Sequence, residues 1–205
     1  MPKMIDLFSG LGGASEAFVQ AGWQVLRIEN NPLLESTPHT KLMDMFDFRD
    51  WVETELANHP DAFNDIELIW ASPPCYEFSL GFNAPKATHS REYPGMPYYP
   101  SMALLEVTKD IIDMINPRYH IIENVRGACL HFEPFVGKFR QQNIAYFFWG
   151  NFPSFVPEPF PSKHEKDKRH SPLRANIRGK VPIQISEALL ASITNQKSIY
   201  DWVIE

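Results

Sequence analysis

The sequence predicts an α/β protein, a mostly parallel sheet with helices on both faces. Met4 to Phe8 is a short apolar run that ends in the turn Ser9-Gly10-Leu11-Gly12-Gly13, and a helical apolar pattern follows. The run Ile66 to Ala71 is apolar apart from Glu67, as in a strand covered on both faces. Because a strand, a glycine turn and a helix open the chain, we expect a Rossmann-like arrangement.

Length and composition are those of one domain over residues 1–205. The 205 residues are 44% hydrophobic, enough to bury a full core. No apolar run approaches the roughly 18 residues of a membrane helix and no leader pattern opens the chain, so we expect no membrane association. The two cysteines lie far apart and the histidines show no ligand spacing. This predicts a cytoplasmic protein without a bound metal.

Charge is distributed unevenly along the chain. The net charge of −6 disfavours a nucleic-acid partner. Lys163 to Lys180, however, contains seven basic and two acidic residues. Such a stretch is either a solvated surface loop or a surface that faces phosphates, and composition alone leaves both open.

The glycine turn and the next strand end suit a ligand with a ribose. Glycines let a ligand approach the backbone, and the amino end of the following helix favours a negative group. The spacing is not GxGxxG, so a dinucleotide is not predicted. The second strand, Gln24 to Ile28, ends in Glu29, whose carboxylate can accept hydrogen bonds from both ribose hydroxyls. The alternative is an ordinary surface carboxylate.

Asp44 lies in a predicted short strand and turn over Leu42 to Phe48. Its carboxylate could accept a hydrogen bond from an adenine amino group, with Met45 packing on the ring. It could equally cap a helix predicted over Asp50 to Ala57.

Cys75 follows the strand Ile66 to Ala71 after Ser72-Pro73-Pro74. Neither proline donates a backbone hydrogen bond, so together they end the strand. A thiol at the carboxyl end of a sheet strand is well placed to be a nucleophile, and the alternative is a small buried hydrophobe. We predict that residues 80–100 form a long loop that acts as a lid over the thiol. Cys129 has no base or metal partner nearby and is predicted to pack in the core.

A carboxyl group is predicted at the same sheet edge as the thiol. Helix Met102 to Ile115 precedes strand Tyr119 to Ile122, which ends in Glu123-Asn124-Val125. A carboxyl group in a partly buried crevice can have a raised pKa and serve as a proton donor. The remaining predicted elements are a helix over His131 to Gln142, a strand over Ala145 to Trp149 and a helix over Ile183 to Ile193.

These motifs resemble, in the same order, those of the DNA (cytosine-5)-methyltransferases. Asp6-Leu7-Phe8-Ser9-Gly10-Leu11-Gly12-Gly13 is similar to the motif that binds S-adenosylmethionine, and Glu29 and Asp44 match the ribose and adenine contacts. Ser72-Pro73-Pro74-Cys75-x-x-Phe78-Ser79 resembles the catalytic motif, and Glu123-Asn124-Val125 the motif whose glutamate contacts the target ring.

The resemblance implies an S-adenosylmethionine-dependent methyltransferase fold and methylation of carbon 5 of cytosine in double-stranded DNA. Cys75 would add to carbon 6, Glu123 would hold or protonate N3, and the target base would be flipped into the pocket. The implied catalytic residues are Cys75, Glu123 and Asn124. The implied cofactor-binding residues are Asp6, Phe8, Ser9, Gly10, Leu11, Gly12, Gly13, Glu29, Asn30, Asp44, Met45, Pro73, Leu105, Lys180 and Val181. The implied nucleic-acid contacts are Ser79, Lys86, Arg91, Arg126, Arg169, Arg174 and Arg178.

The chain departs from the family between the Glu123 motif and the C-terminal element Gly179-Lys180-Val181-Pro182. The family usually has a large target-recognition region there, and residues 126–178 are too few for it. Either the enzyme reads little sequence, or the lid and a reduced basic segment over 151–180 read it, or a specificity partner does. Residues 181–205 would return to the cofactor site. Lys180 stands near an expected asparagine, and a cation there could change the cofactor preference.

Two other functions stay open. The short interval suggests cytosine-5 methylation of RNA or of a nucleotide, and a third interpretation is a non-catalytic regulatory relative. Intact Cys75 and Glu123 argue against the regulator. A minimally specific enzyme would suit a phage or mobile element, and both a monomer and a homodimer fit the sequence.

Overall fold

Seven strands form one sheet in the order β3-β2-β1-β4-β5-β7-β6. The computed structural model describes residues 1–79, 81, 83–158 and 171–196. The strands are β1 (Lys3–Leu7), β2 (Gln24–Glu29), β3 (Thr40–Leu42), β4 (Ile66–Ala71), β5 (Tyr119–Asn124), β6 (Gln141–Asn143) and β7 (Tyr146–Asn151). β1 to β5 pair in parallel, whereas β7 is antiparallel to both β5 and β6. The prediction of a mostly parallel sheet is confirmed.

Helices cover both faces of the sheet, as predicted. The helices are α1 (Glu16–Gln20), α2 (Met45–Asn58), α3 (Pro85–Glu92), α4 (Ala103–Ile115), α5 (Cys129–Val136), α6 (Arg174–Gly179) and α7 (Ile183–Thr194). Successive side chains of a strand point to opposite faces, and β4 divides accordingly. Ile69 and Ala71 join one core with α2, α4 and α5. Leu68 and Trp70 join a second core with residues of α7 and of the segment around α1.

The C-terminal helix α7 packs beside the first strand–helix unit. The side-chain oxygen of Ser186 on α7 donates to the carbonyl of Ala14 at 2.7 Å and accepts the N–H of Ala17 at 3.1 Å. Cys129 is half-buried and packs against the core, in agreement with its predicted place.

Helix α2 begins at Met45, five residues before the predicted start at Asp50. Asp44 is its N-cap, because its side chain accepts the N–H of Phe46 at 2.9 Å. The cap was one of the two roles predicted for Asp44. The strand-like interpretation of residues 45–48 was wrong, since their apolar side chains belong to the first turn of this helix.

Three other segments differ from the sequence prediction. The interval 80–100 was predicted to be a loop, but it contains α3, whose Pro85 suits the first turn of a helix. The helix predicted over His131 to Gln142 ends at Val136 and is followed by the edge strand β6. Within the basic segment 151–180, residues 174–179 form α6, while 159–170 lie outside the described residues. None of the described helices is both long enough and apolar enough to cross a membrane.

Candidate active site

The candidate site lies where β1 and β4 adjoin at the centre of the sheet. From β1 the chain proceeds outward through β2 and β3 and then returns to β4 on the other side. Ligands bind at the carboxyl ends of the strands at such a switch point. The N–H of Ser72 donates to the carbonyl of Leu7 at 3.1 Å, so the exits of β4 and β1 are held side by side.

The glycine turn Ser9-Gly10-Leu11-Gly12-Gly13, called here the glycine-rich loop, follows β1. It is hydrogen-bonded to Glu29 at the end of β2. One oxygen of its carboxylate accepts the N–H of Gly10 at 2.8 Å, and the other accepts those of Asn30 at 3.1 Å and Asn31 at 2.9 Å. Glu29 is 8% exposed. Phe8, which opens the loop, has φ 57°, a strained value for an aromatic residue and one that concentrates at functional sites. The loop and the acid therefore form one hydrogen-bonded unit, and their contact with a cofactor stays a prediction.

Asp6 lies beneath this loop and is buried. Its Oδ2 accepts the hydroxyl of Ser15 at 2.5 Å. Burial raises the pKa of Asp6 from 3.8 to about 6, against the opposing effects of the Ser15 hydrogen bond and the charge of Arg27. This geometry gives Asp6 a supporting role under the loop, and its direct contact with a cofactor stays a prediction.

The predicted adenine contacts receive mixed support. Asp44 is exposed and its Oδ1 caps α2, which leaves its carboxylate at the surface near the end of β3. Met45 packs in the hydrophobic core instead, so the structure does not support its predicted packing on an adenine ring.

The C-terminal element reaches the glycine-rich loop from the opposite side. A Cβ added at Gly13 would overlap the carbonyl of Val181 and the side chain of Lys180. These two residues therefore lie against the loop, as predicted. Asn176 of α6 also lies near the loop, since its Nδ2 would be 3.9 Å from a Cβ added at Gly10. Its Oδ1 accepts the Nδ2–H of Asn31 at 3.4 Å. Asn176 was missed, because no sequence pattern connects this short helix with β2.

Cys75 lies in a tight turn after Pro73 and Pro74. Its carbonyl accepts the N–H of Phe78 at 3.1 Å and that of Ser79 at 2.9 Å. The side chain of Cys75 is exposed at the crevice. The groups around the thiol nevertheless desolvate it in part, which raises its pKa, and the charge of Glu123 raises this pKa further. The predicted thiol and carboxyl group are therefore within electrostatic reach of each other.

Glu123 is the last residue but one of β5, the neighbour of β4. Burial raises its pKa from 4.5 to about 7, and a hydrogen bond from the side chain of Ser72 opposes this rise. The indole Nε1–H of Trp70 donates to Ser72 Oγ at 2.8 Å. Because the indole can only donate, the single hydroxyl proton of Ser72 is left for Glu123. Ser72 thereby orients the carboxyl group, a role that the sequence did not reveal.

Asn124 anchors the thiol loop to β5. Its Nδ2 donates to the carbonyl of Pro73 at 2.9 Å, and its Oδ1 accepts the N–H of Val125 at 2.9 Å. Asn124 is 1% exposed, so the structure supports a positioning role, and its predicted catalytic contact with substrate stays a prediction. Gly127, which was also missed, supports the same loop: a Cβ there would overlap the carbonyl of Phe78.

A pocket of about 160 Å³ lies beside the Cys75 turn. It includes Pro73 and Leu105, two of the predicted cofactor contacts. The other lining residues are Pro74, Tyr76, Glu77, Phe78, Ser101, Leu104 and Phe132. Glu77 holds the C-terminal end of the interval 80–100 at this pocket, since its carboxylate accepts the N–H of Ser101 at 2.6 Å. The chain therefore leaves the Cys75 turn after Ser79 and comes back to it at Ser101.

The predicted nucleic-acid contacts divide into two groups. Lys86 and Arg91 lie on α3, within the interval predicted to be a lid, and Arg126 lies in the turn after β5, on the side of the thiol. Arg174 and Arg178 lie on α6, the helix that reaches Asn31 beside the glycine-rich loop. Ser79 lies in the Cys75 turn and accepts the N–H of Gly81 at 3.1 Å. Arg169 lies outside the described residues.

Comparison with known proteins connects this site to one family. A family model described as C-5 cytosine-specific DNA methylase matches residues 2–144. The chain is 32% identical over 125 residues to the type II methyltransferase M.AplI of Arthrospira platensis, covering 60% of this chain and 31% of that protein. It is 29% identical over 138 residues to the type II methyltransferase M.HgiGI of Herpetosiphon aurantiacus, covering 62% of this chain and 94% of that protein.

Solved structures include a similar chain, a provisionally assigned DNA modification methyltransferase encoded within an E. coli prophage. It has a TM-score of 0.46 and 19% identity, and the match covers 73% of this chain and 46% of that one. In the sequence comparison, the present chain spans about a third of the length of M.AplI.

Proposed function

The chain belongs to the C-5 cytosine-specific DNA methylase family, and from this premise we propose that it methylates carbon 5 of cytosine in double-stranded DNA. The methyl donor would be S-adenosylmethionine, and Cys75 would be the nucleophile. We further propose that residues 1–205 act as one catalytic domain.

The observation that carries the proposal is the pairing of an exposed thiol with a carboxyl group whose pKa is about 7. Near neutral pH, Glu123 carries its proton in about half of the molecules and can give it to a ring nitrogen. The charge of Glu123 raises the pKa of Cys75. Protonation of Glu123 therefore favours the Cys75 thiolate, so one event prepares both the acid and the nucleophile.

These two side chains suffice to activate an unreactive carbon. The Cys75 thiolate would form a carbon–sulfur bond at carbon 6 of cytosine, and the displaced ring electrons would be held at N3 by the proton from Glu123. Carbon 5 then becomes nucleophilic. Once carbon 5 is methylated, a base removes its proton and the carbon–sulfur bond breaks, which returns the thiolate to Cys75.

The residues around the glycine-rich loop fit S-adenosylmethionine. The Glu29 carboxylate is a buried acceptor suited to ribose hydroxyls. Among the described residues, a Cβ at Gly10 would meet only Asn176, at 3.9 Å, which leaves the backbone there open to a ligand. Asp44, Leu105 and Val181 would complete the site. When bound, this cofactor supplies the methyl group as an electrophile.

A cytosine within a duplex must leave the stack to reach Cys75, so we infer base flipping. The flipped base would lie against Cys75 and Glu123, and α3 would bring Lys86 and Arg91 towards the phosphates. Residues 126–178 are few for a recognition region, which supports low sequence specificity or a specificity partner. The same observation favours RNA or a nucleotide as the second candidate substrate.

Trapping with 5-fluorocytosine tests the proposal. A duplex with this base in many sequence contexts is incubated with the protein and S-adenosylmethionine, and covalent complexes are resolved on a denaturing gel. Because fluorine cannot leave as a proton does, the thiol should remain attached to the base. We expect an adduct in the wild type and in Cys129→Ala, the matched control for the second cysteine, and none in Cys75→Ala.

Each other outcome identifies a different error. An adduct that persists in Cys75→Ala would exclude this residue as the nucleophile. Trapping on RNA or a nucleotide, but not on the duplex, would replace the DNA substrate with the second candidate. Failure on every substrate would refute the catalytic proposal.

A further inference from the structure

Arg27 is a buried cation with no place in the predicted site. It lies within β2, and its register partner on β1 is Asp6. It is 2% exposed, which is rare for an arginine unless its donors are satisfied. Its position two residues before Glu29 puts it beneath the glycine-rich loop rather than at the surface.

The guanidinium of Arg27 joins three parts of the structure. Its Nε donates to Ser15 Oγ at 2.8 Å, its Nη2 donates to the carbonyl of Gly12 at 3.0 Å, and its Nη1 donates to the carbonyl of Pro38 at 2.9 Å. Ser15 in turn donates to Asp6. One planar fork of donors therefore connects β1, the glycine-rich loop and the segment that precedes β3.

The absence of a side chain at Gly12 leaves space for the guanidinium of Arg27. The φ of Gly12 is 70°, and a Cβ added to this residue would overlap the guanidinium. Since the peptide is planar and trans, a Gly12 carbonyl that faces Arg27 directs the N–H of Gly13 away from it. The contact thus fixes the orientation of a peptide in the loop as well as the position of the chain.

We propose that Arg27 is a positioning residue of the cofactor site, whose buried guanidinium holds the glycine-rich loop in its ligand-accepting conformation. This rests on the proposed function. Arg27 would not touch the cofactor, because it lies on the inner side of the loop. Its loss should therefore affect cofactor affinity while the Cys75 side of the site is unchanged.

The test compares Arg27→Gln with the wild type and with Arg118→Gln. Arg118 is an exposed arginine just before β5, at the opposite edge of the sheet, where it pairs with Glu67 at 2.9 Å. We expect calorimetry to show a Kd for S-adenosylmethionine about tenfold higher or more in Arg27→Gln, because hydrogen bonds from a charged group are lost. The KM for DNA should stay within about twofold. Arg118→Gln should match the wild type in both.

Two further variants keep the test decisive if Arg27→Gln does not fold. Arg27→Lys keeps the buried charge without the planar fork. Ser15→Ala removes the acceptor of the Arg27 Nε–H and the donor to Asp6, but leaves both Nη hydrogen bonds of Arg27 in place. Both should weaken cofactor binding, Arg27→Lys more. Wild-type affinity in both would overturn the proposal, and so would a lower kcat with unchanged cofactor affinity. A wild type that binds no S-adenosylmethionine would instead refute the proposed function.

Discussion

Replacing Glu123 with glutamine should stabilise the protein at alkaline pH while it removes the proposed activity. Glutamine has the shape of the protonated carboxyl group and its oxygen can still accept the Ser72 hydroxyl. It cannot ionise, so it cannot carry the proton to the substrate. The substitution therefore separates what Glu123 does for chemistry from what its charge does to the fold.

The expected size follows from the raised pKa of Glu123, from 4.5 to about 7. Each pKa unit corresponds to about 1.4 kcal/mol, so the ionised form costs the native state about 3 kcal/mol. The sign follows from linkage: a carboxyl group whose pKa is raised by folding contributes stability below 4.5, and that contribution is lost as the pH rises through about 7. Above that pH the wild type is destabilised by the buried charge of Glu123, whereas Glu123→Gln is not.

Urea denaturation followed by tryptophan fluorescence measures this difference. At alkaline pH we expect Glu123→Gln to shift the midpoint upward by about 1 M or more, and at acidic pH by little. Glu187→Gln, which changes an exposed carboxylate on α7, is the control and should show no such pH dependence. A stability difference between Glu123→Gln and the wild type that is the same at both pH values would refute the reasoning.

Three further predictions concern neighbouring residues. Glu123→Gln should lower the pKa of Cys75, so alkylation of this thiol, followed by peptide mapping, should begin at lower pH; an unchanged profile would contradict the coupling. Gly127→Ala should destabilise the fold by about 1–3 kcal/mol because the new Cβ displaces the Phe78 carbonyl, and a wild-type urea midpoint would exclude that close packing. Asp44→Ala should cost about 1 kcal/mol through loss of the α2 cap, whereas an unchanged melting temperature would show that water replaces the cap.

Much of the sheet edge was predictable because its signals are local. The strands that carry the glycine-rich loop, Cys75 and Glu123 are mostly apolar runs, interrupted only by Asp6, Glu67 and His120. The residues that follow each run can be read directly. Parallel pairing then brings these strand ends to one edge. The placement of the thiol and the carboxyl group followed from this rule and did not require any knowledge of side-chain contacts.

The supporting contacts were not predictable, because they join residues that are distant in sequence. Gly127 is a glycine because of the Phe78 carbonyl, and Gly12 leaves room for the guanidinium of Arg27. Arg27 itself, within a strand, resembles an ordinary surface cation until β1 and the loop are placed over it. The start of α2 was missed for a different reason. Its first turn lies in the run 42–48, whose apolar residues suggested a strand.

The two carboxyl groups at this edge of the sheet differ in how their charges are compensated. The hydrogen bond from Ser15 and the charge of Arg27 oppose burial at Asp6, whose pKa is about 6. At Glu123 the hydrogen bond from Ser72 opposes burial, and the pKa is about 7. Burial outweighs the opposing interactions at both carboxyl groups, and the two pKa values rise by similar amounts. The two groups differ in what lies beside them. Asp6 accepts a hydrogen bond from Ser15 beneath the glycine-rich loop, whereas the charge of Glu123 acts on the thiol of Cys75. Only Glu123 is therefore placed to couple its proton to the nucleophile that the proposed chemistry requires.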